Sequence, residues 1–499
     1  MHTIINDGYM IDKIINYQSI FIRFGKELKL KMLEIIFVAV LLASSITPIF
    51  IERGLTKKNI VILLINYAFL FATIIVIGAN WRMIPTYFLL FILTLQVFLK
   101  PKTTAVSKKL VMKFLKGLGI IVTAIVMFAL PLLFPIITLP EPTGKYTVGT
   151  KAFHLIDTNR KETIVPSSHG NRELMIQVYY PAEKGSGKPS AYFENIDALA
   201  EQLGVTKGAP YIVTTHLGLT KTHSYQDAKP LQIKEKFPLL LFGHGMELYG
   251  QQNTFQLEEL ASQGYVVIAL NFTGYASTTI FPNGKRIDSV PIEFTPNALN
   301  NMVRTWEQDT TFVLNEVIKG NFDKNFTAIA NLIDDDKIGM LGHSYGGATA
   351  AQMLIKDNRI QAAIDMDGGL YGDPIPKDGP QKPFMLMNAE ATIQYMKEAE
   401  NQKTGGIQDE LFEISYLRNK TIEKPGAYTV VIPKTNHNSF TDLAAFSRII
   451  NEPGEDVAAN YTLINKLVTS FFDQTLKGIN ENHLEEIQKQ YPELHLIKH

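Results

Sequence analysis

Four stretches without a single charge crowd the first third of this chain. They are IIFVAVLLASSITPIFI (35–51), IVILLINYAFLFATIIVIGA (60–79), MIPTYFLLFILTLQVFL (83–99) and GLGIIVTAIVMFALPLLFPIITL (117–139). A helix crossing a bilayer needs about 20 such residues, with a range of about 17–25. Buried core helices would be the other explanation. Four runs in about a hundred residues argue against it, and a cleaved signal peptide accounts for the first run at most. The expectation is an N-terminal membrane region over 1–140 with about four transmembrane helices, followed by a second domain over 141–499. None of the runs carries an acidic residue or histidine. Anchoring is therefore a simpler role than an ion pathway.

Four spans would put the N-terminal tail, the 79–83 turn and the second domain on one side. That side carries six flanking cations: Lys13, Arg23, Lys26, Lys29, Lys31 and Arg82. The other side carries nine, from Arg53, Lys57 and Lys58 through Lys100, Lys102, Lys108, Lys109, Lys113 and Lys116. The bias predicts a multi-pass cell-membrane protein whose second domain lies outside the cytoplasm. If Met32 were the true start, the contrast would sharpen to one against nine.

Beyond LPEPTGKYTVG (139–149) the pattern changes. Apolar β-rich runs alternate with amphipathic stretches, as in an α/β sheet. ELMIQVYYPA (173–182), FPLLLFGHG (237–245), GYVVIALNF (264–272), DDDKIGMLGHS (334–344), IQAAIDMD (360–367), PFMLMNAE (383–390) and AYTVVIP (427–433) read as strands. TFQLEELASQ (254–263) and LNNMVRTWEQDTTFVLNEVI (299–318) read as helices. Continuous apolar runs suit parallel strands buried on both faces. The 48 basic and 48 acidic residues cancel, which gives no electrostatic case for nucleic acid as a partner. The absence of cysteine excludes disulfides, thiolate catalysis and cysteine metal sites.

The strand KIGML runs into Gly342-His343-Ser344-Tyr345-Gly346 and then into the helix-forming ATAAQMLI. A serine between glycines at a strand-to-helix turn is the pattern of a nucleophile elbow. The glycines are needed because a Cβ two residues either side would meet the neighbouring strand or helix. Serine needs a base to become nucleophilic, and the chain order for this arrangement is serine, acid, histidine. Of the histidines downstream, His437 follows a strand, where α/β sheets place their chemistry. His483, His495 and His499 lie in or after the terminal helix. IQAAIDMDGG offers Asp365 and Asp367 as the acid, and alternation sends both to the same face. The oxyanion needs backbone donors, one from the residue after the nucleophile, Tyr345. FGHGMELYG (242–250) is a glycine-rich loop after an earlier strand and offers Met246 N–H as the second.

The stretches FGHGMELYG, GHSYGGATA, AAIDMDGG and NHNSFTD, in this order, resemble the platelet-activating-factor acetylhydrolase (group VII phospholipase A2) family. VGTKAFHLIDTNR with RELMIQVYYPA resembles the opening of its catalytic domain, and FFDQTLKG its closing helix. The resemblance covers about 145–480 and is similar to bacterial members with N-terminal membrane spans. It implies an α/β-hydrolase fold, with a mostly parallel central sheet and helices on both faces. It implies Ser344 as nucleophile, His437 as base, and Asp367 rather than Asp365 as the acid. Met246 and Tyr345 are the implied oxyanion donors, and no metal or organic cofactor is implied. One departure is local: Asn271 and Phe272 stand where the family commonly has an acidic residue and a histidine.

The expected activity is that of a membrane-anchored serine ester hydrolase working through an acyl-enzyme. Its partners would be the membrane and a small-molecule or lipid ester, with short or oxidised acyl chains of phospholipids as the implied substrates. A binding or sensor module on the same fold, or a serine peptidase, are the alternatives. The segments 204–230 and 273–297 are the least regular of the domain and are expected to line or cover the pocket.

Overall fold

A strand covered on both faces needs apolar side chains pointing both ways, and the second half of the chain supplies them. A computed structural model describes residues 33–44, 55–98, 109–166, 168–402, 407–423, 426–479 and 483–499. It divides into two compact units, Met1–Thr138 and Leu139–His499.

In the second unit the strands are β1 (Thr147–Lys161), β2 (Asn171–Ala182), β3 (Lys188–Pro189), β4 (Tyr225–Gln226), β5 (Phe237–Gly243), β6 (Val266–Asn271), β7 (Thr278–Ile280), β8 (Arg286–Asp288), β9 (Ile333–His343), β10 (Ile360–Met366), β11 (Phe384–Ala389), β12 (Ala427–Ile432) and β13 (His495–Lys498). Among the described residues, eleven of them form one sheet in the order β13-β12-β11-β10-β9-β5-β6-β2-β1-β4-β3. The run from β12 to β6 is parallel throughout. On the flanks, β2 pairs antiparallel with β6, β1 with β2, and β13 with β12. Every residue of β5, β6 and β11 is buried, which is why these segments read as continuous apolar runs. The last strand was not legible: HLIK lies in the segment expected to be helix or tail.

Helices cover both faces. Leu239 and Leu241 of β5 join one core cluster with Trp306 and Val313 of the helix Pro296–Lys319. The other face of the sheet meets the helix Val457–Phe472, where Gly339 of β9 abuts Leu240 and Phe472. Pro296–Lys319 shows why a helix sits there. Thr295 accepts from Ala298 N–H at its start, proline occupies the first turn, and Gly320 ends it at φ 67°.

The first unit is helical where it is described. Among the described residues, two helices are long and apolar enough to cross a membrane: Lys57–Ile77, with mean hydropathy 2.8, and Trp81–Phe98, with mean hydropathy 1.4. Leu33–Ser44 and Gly117–Leu133 are shorter apolar helices. The first expected run is described only as far as Ser44. The fourth stops short of its expected end at 139, because Pro135 disfavours helical backbone at the residue before it. The cation count behind the orientation falls largely on residues 1–32, 51–54 and 99–108, outside the described residues. Polar side chains turn inward here. Asn66, Thr73 and Thr86 are fully buried, whereas Leu64, Phe71, Ile75 and Phe88 are exposed.

Candidate active site

The parallel strands deliver their carboxyl ends to one edge, and the candidate residues follow those ends. Ser344 comes directly after β9 and opens the helix Tyr345–Lys356. Its backbone sits at φ 57°, ψ −120°, a strained conformation for a residue with a side chain. The glycines are sterically required. A Cβ on Gly342 would run into Gly346, and one on Gly346 into the carbonyl of Gly243 on β5. The serine's own N–H donates to Met366 O of β10 at 2.9 Å, so the ladder continues up to the turn.

Asp367 follows β10 at φ 58° and its N–H donates to Met387 O at 2.7 Å. The carboxylate accepts three hydrogen bonds. Ala389 N–H donates to Oδ1 at 2.8 Å, and the Thr392 hydroxyl donates to Oδ2 at 2.7 Å. His437 Nδ1 lies 2.8 Å from the same Oδ2. The Asp367 side chain is 0% exposed and that of His437 is 47% exposed, so the pair has a dry end and a wet end. His437 begins a tight turn after β12. Asn436 Oδ1 accepts from Asn438 N–H at 2.9 Å, and Ser439 Oγ accepts from Asn436 N–H at 2.9 Å. The structure thus brings Asp367 and His437 into direct contact. Ser344 Oγ makes no hydrogen bond to His437, a bond that tightens in many hydrolases only with substrate bound. Ring contact between His343 and His437, with centroids 4.4 Å apart, packs His437 against the turn at Ser344.

The loop after β5 lies beside the serine, for a Cβ on Gly245 would sit 3.4 Å from Ser344 Cβ. Gly245 N–H donates to Gln252 Oε1 at 2.8 Å and Glu247 N–H to Tyr275 O at 3.0 Å. Between them, Met246 N–H has no partner among the described residues. Tyr345 N–H is at the first position of its helix, where no intrahelical acceptor exists. Its ring stacks on Tyr371 at 4.9 Å. His244 is buried with Nδ1–H donating to Gly245 O at 2.7 Å and Nε2 accepting from Phe272 N–H at 3.1 Å. Burial pulls its pKa down to about 4, so it stays neutral. The departure at 271–272 is explained by this packing. Asn271 accepts from Gly250 N–H and donates to Thr278 O, and Phe272 stacks on Trp306 at 4.0 Å.

Thr392 and Gln252 escaped the sequence reading, since nothing in NAEATIQ or YGQQNTF marks them. The segment 204–230 forms the end of the helix Ile196–Lys207, the short helices Tyr211–Thr214 and Thr215–Leu219, and β4, while 273–297 holds the β7–β8 hairpin. An open groove of about 560 Å³ is lined by Asp197 and Glu201 of that helix, by Tyr211, and by Ile280 and Arg286 of the hairpin. None of Ser344, Asp367 and His437 is on its wall.

A parallel-centred sheet flanked by helices, with an elbow serine at its carboxyl edge, defines an α/β-hydrolase-like fold. The family model described as platelet-activating factor acetylhydrolase, isoform II, matches residues 133–285 and 296–453, and the chain belongs to this family. It is similar to a probable 1-alkyl-2-acetylglycerophosphocholine esterase of Arthroderma benhamiae, 27% identical over 413 residues, covering 75% of this chain and 98% of that one. It is also similar to a platelet-activating factor acetylhydrolase of Cavia porcellus, 24% identical over 376 residues, 69% of this chain and 79% of the relative. Among solved structures, a ferulic acid esterase from Streptomyces cinnamoneus superposes with a TM-score of 0.57 at 25% identity, covering 72% of this chain and 99% of that one. The protein is a serine ester hydrolase.

Proposed function

We propose that the chain is a membrane-anchored hydrolase of phospholipid-like carboxylic esters, with a preference for short or oxidised acyl chains, acting through Ser344, His437 and Asp367. The observation that carries the reading is the 2.8 Å contact of His437 Nδ1 with buried Asp367, at the edge where Ser344 takes its strained turn. Asp367 fixes the imidazole with Nδ1 protonated, leaving the Nε2 lone pair for the serine proton. Ser344 Oγ attacks the acyl carbon, and the proton passes to His437. The Met246 and Tyr345 amides stabilise the oxyanion. The imidazolium returns the proton to the departing alcohol. Water, deprotonated by His437, then attacks the acyl-enzyme and releases the acid. Names of relatives and membrane tethering together favour a lipid ester.

The anchor reading takes residues 1–140 as a four-span, multi-pass membrane region and 141–499 as an extracytoplasmic catalytic domain. Supporting it, the Arg82 guanidinium donates to Glu34 Oε1 at 2.9 Å and to Phe134 O at 2.9 Å. Those groups stand at the start of the first apolar run, the turn between the second and third, and near the end of the fourth. Four antiparallel spans put these three points on one side. Buried polar and exposed apolar side chains fit a lipid surrounding. The experiment is hydrolysis of a panel of acyl esters of graded chain length by wild type and Ser344→Ala, with fluorophosphonate labelling. Loss of both activity and labelling is expected. Turnover by Ser344→Ala at the wild-type rate, or faster cleavage of peptides than of esters, removes the proposal. Protease accessibility in intact cells tests the side.

A further inference from the structure

His343, the residue between Gly342 and Ser344, is buried, and both of its ring nitrogens are engaged. Nε2 lies 2.9 Å from His437 O. A carbonyl can only accept, so Nε2 carries the hydrogen. Nδ1 is then a lone pair, and Gln252 Nε2, 3.1 Å away, donates to it. Gln252 Oε1 accepts from Gly245 N–H at 2.8 Å, and its second amide hydrogen goes to Asn253 Oδ1 at 3.0 Å. Every proton on this path has a single direction. Gln252 is fully buried, so water cannot take over for a missing partner. The same segment holds the far end of the base's turn, because Asn253 Nδ2–H donates to Phe440 O at 2.6 Å and Asp442 N–H to Gln252 O at 2.8 Å.

We propose that His343 and Gln252 are positioning residues: a buried relay that ties the backbone of His437 and the loop presenting Met246 to the nucleophile elbow, so that base, serine and oxyanion donor keep one mutual geometry. This rests on the roles of Ser344, His437 and Met246 proposed above. Neither relay side chain touches the reacting atoms. Its effect passes through two backbone groups, the carbonyl of His437 and the amide one residue before Met246. Asp367 orients the ring of His437 but makes no bond to the main chain of its turn. The relay holds that main chain at the carbonyl of His437 itself, and Asn253 holds it at Phe440.

The test uses the full-length protein and four variants: His343→Leu, His343→Gln, Gln252→Met and Ser344→Ala. Turnover of a short-chain nitrophenyl ester, the rate of fluorophosphonate labelling and the melting temperature are measured for each. His343→Leu and Gln252→Met are expected to lower kcat about 10- to 100-fold with KM moved less than about threefold, since small misplacements act on the chemical step. Labelling slows by the same factor. Glutamine at 343 keeps one acceptor and one donor, so His343→Gln recovers at least about threefold over His343→Leu. The relay is overturned if both ablations keep kcat within about twofold, or if His343→Gln does no better than His343→Leu. Should His343→Leu fail to fold, Gln252→Met, of nearly the same volume, decides. Hydrolysis surviving in Ser344→Ala would instead overturn the reading of the site itself.

Discussion

Asp365 and Asp367 are two residues apart at the end of β10, yet their carboxyls meet opposite surroundings. Asp367 accepts from Ala389, Thr392 and His437. Asp365 accepts one bond, from Gly368 N–H at 2.8 Å, and its Oδ2 is buried without a partner. Burial pushes the Asp365 carboxyl well above the usual range, which favours its neutral form. Asp367→Asn should therefore lower kcat by about 10⁴-fold by losing the imidazole's orienting acceptor. Asp365→Asn should keep kcat within about threefold, since it swaps one neutral group for another. A group raised in the folded state contributes stability below its unfolded pKa and loses it as pH rises. The melting temperature of Asp365→Asn should thus gain on wild type as pH goes from about 5 to 8. A constant difference would mean the carboxyl ionises inside the fold.

Thr392 is the second test of the role proposed for Asp367. Its hydroxyl and His437 share Asp367 Oδ2, so both fix where the carboxylate points. Thr392→Val keeps the shape and removes the donor. A hydrogen bond to a charged acceptor is worth about 1.5–3 kcal/mol, so kcat should fall about tenfold or more with KM little changed. Thr392→Ser should restore most of it. Equal losses in the two variants would assign Thr392 to packing.

The parallel strands were legible because burial on both faces leaves a continuous apolar signature, as in FPLLLFG and FMLMNA. The elbow was legible because sterics demand glycine at 342 and 346. The choice between the two aspartates was not legible from local pattern, and only the family resemblance implied Asp367. Period-2 alternation sends both to one face, whereas Asp367 has left the strand at φ 58° and turns toward His437. Nor were Thr392 and Gln252, whose partners lie 25 and 91 residues away. A polar side chain that works through a distant contact leaves no periodic trace.

Acid should loosen the loop after β5, where His244 is buried. His244 is held neutral down to about pH 4, and burial lowers the His343 imidazole in the same direction. In the unfolded chain both protonate near the ordinary value of about 6.5. Their contribution to stability is present above that value and is lost as pH falls toward 4. The melting temperature should drop steeply between about pH 6.5 and 4, and His244→Gln should flatten that slope. An unchanged slope in the variant would place the acid sensitivity elsewhere.

In the first unit, the Arg82 guanidinium ties together three separate points of the chain. Its side chain is 1% exposed and that of Glu34 is 6% exposed, and the guanidinium also reaches Asn80 and Phe134 O. Taking two charges out of water is costly, and the pair recovers that cost only while both partners are present. Arg82→Met strands Glu34, so it should destabilise the unit by about 3–5 kcal/mol. Adding Glu34→Leu removes the stranded charge and should recover much of the loss. The measurement is thermal retention of the monodisperse protein in detergent for wild type, both single variants and the double variant. A double variant no better than Arg82→Met would show that the guanidinium acts through Phe134 and Asn80 and not through the ion pair.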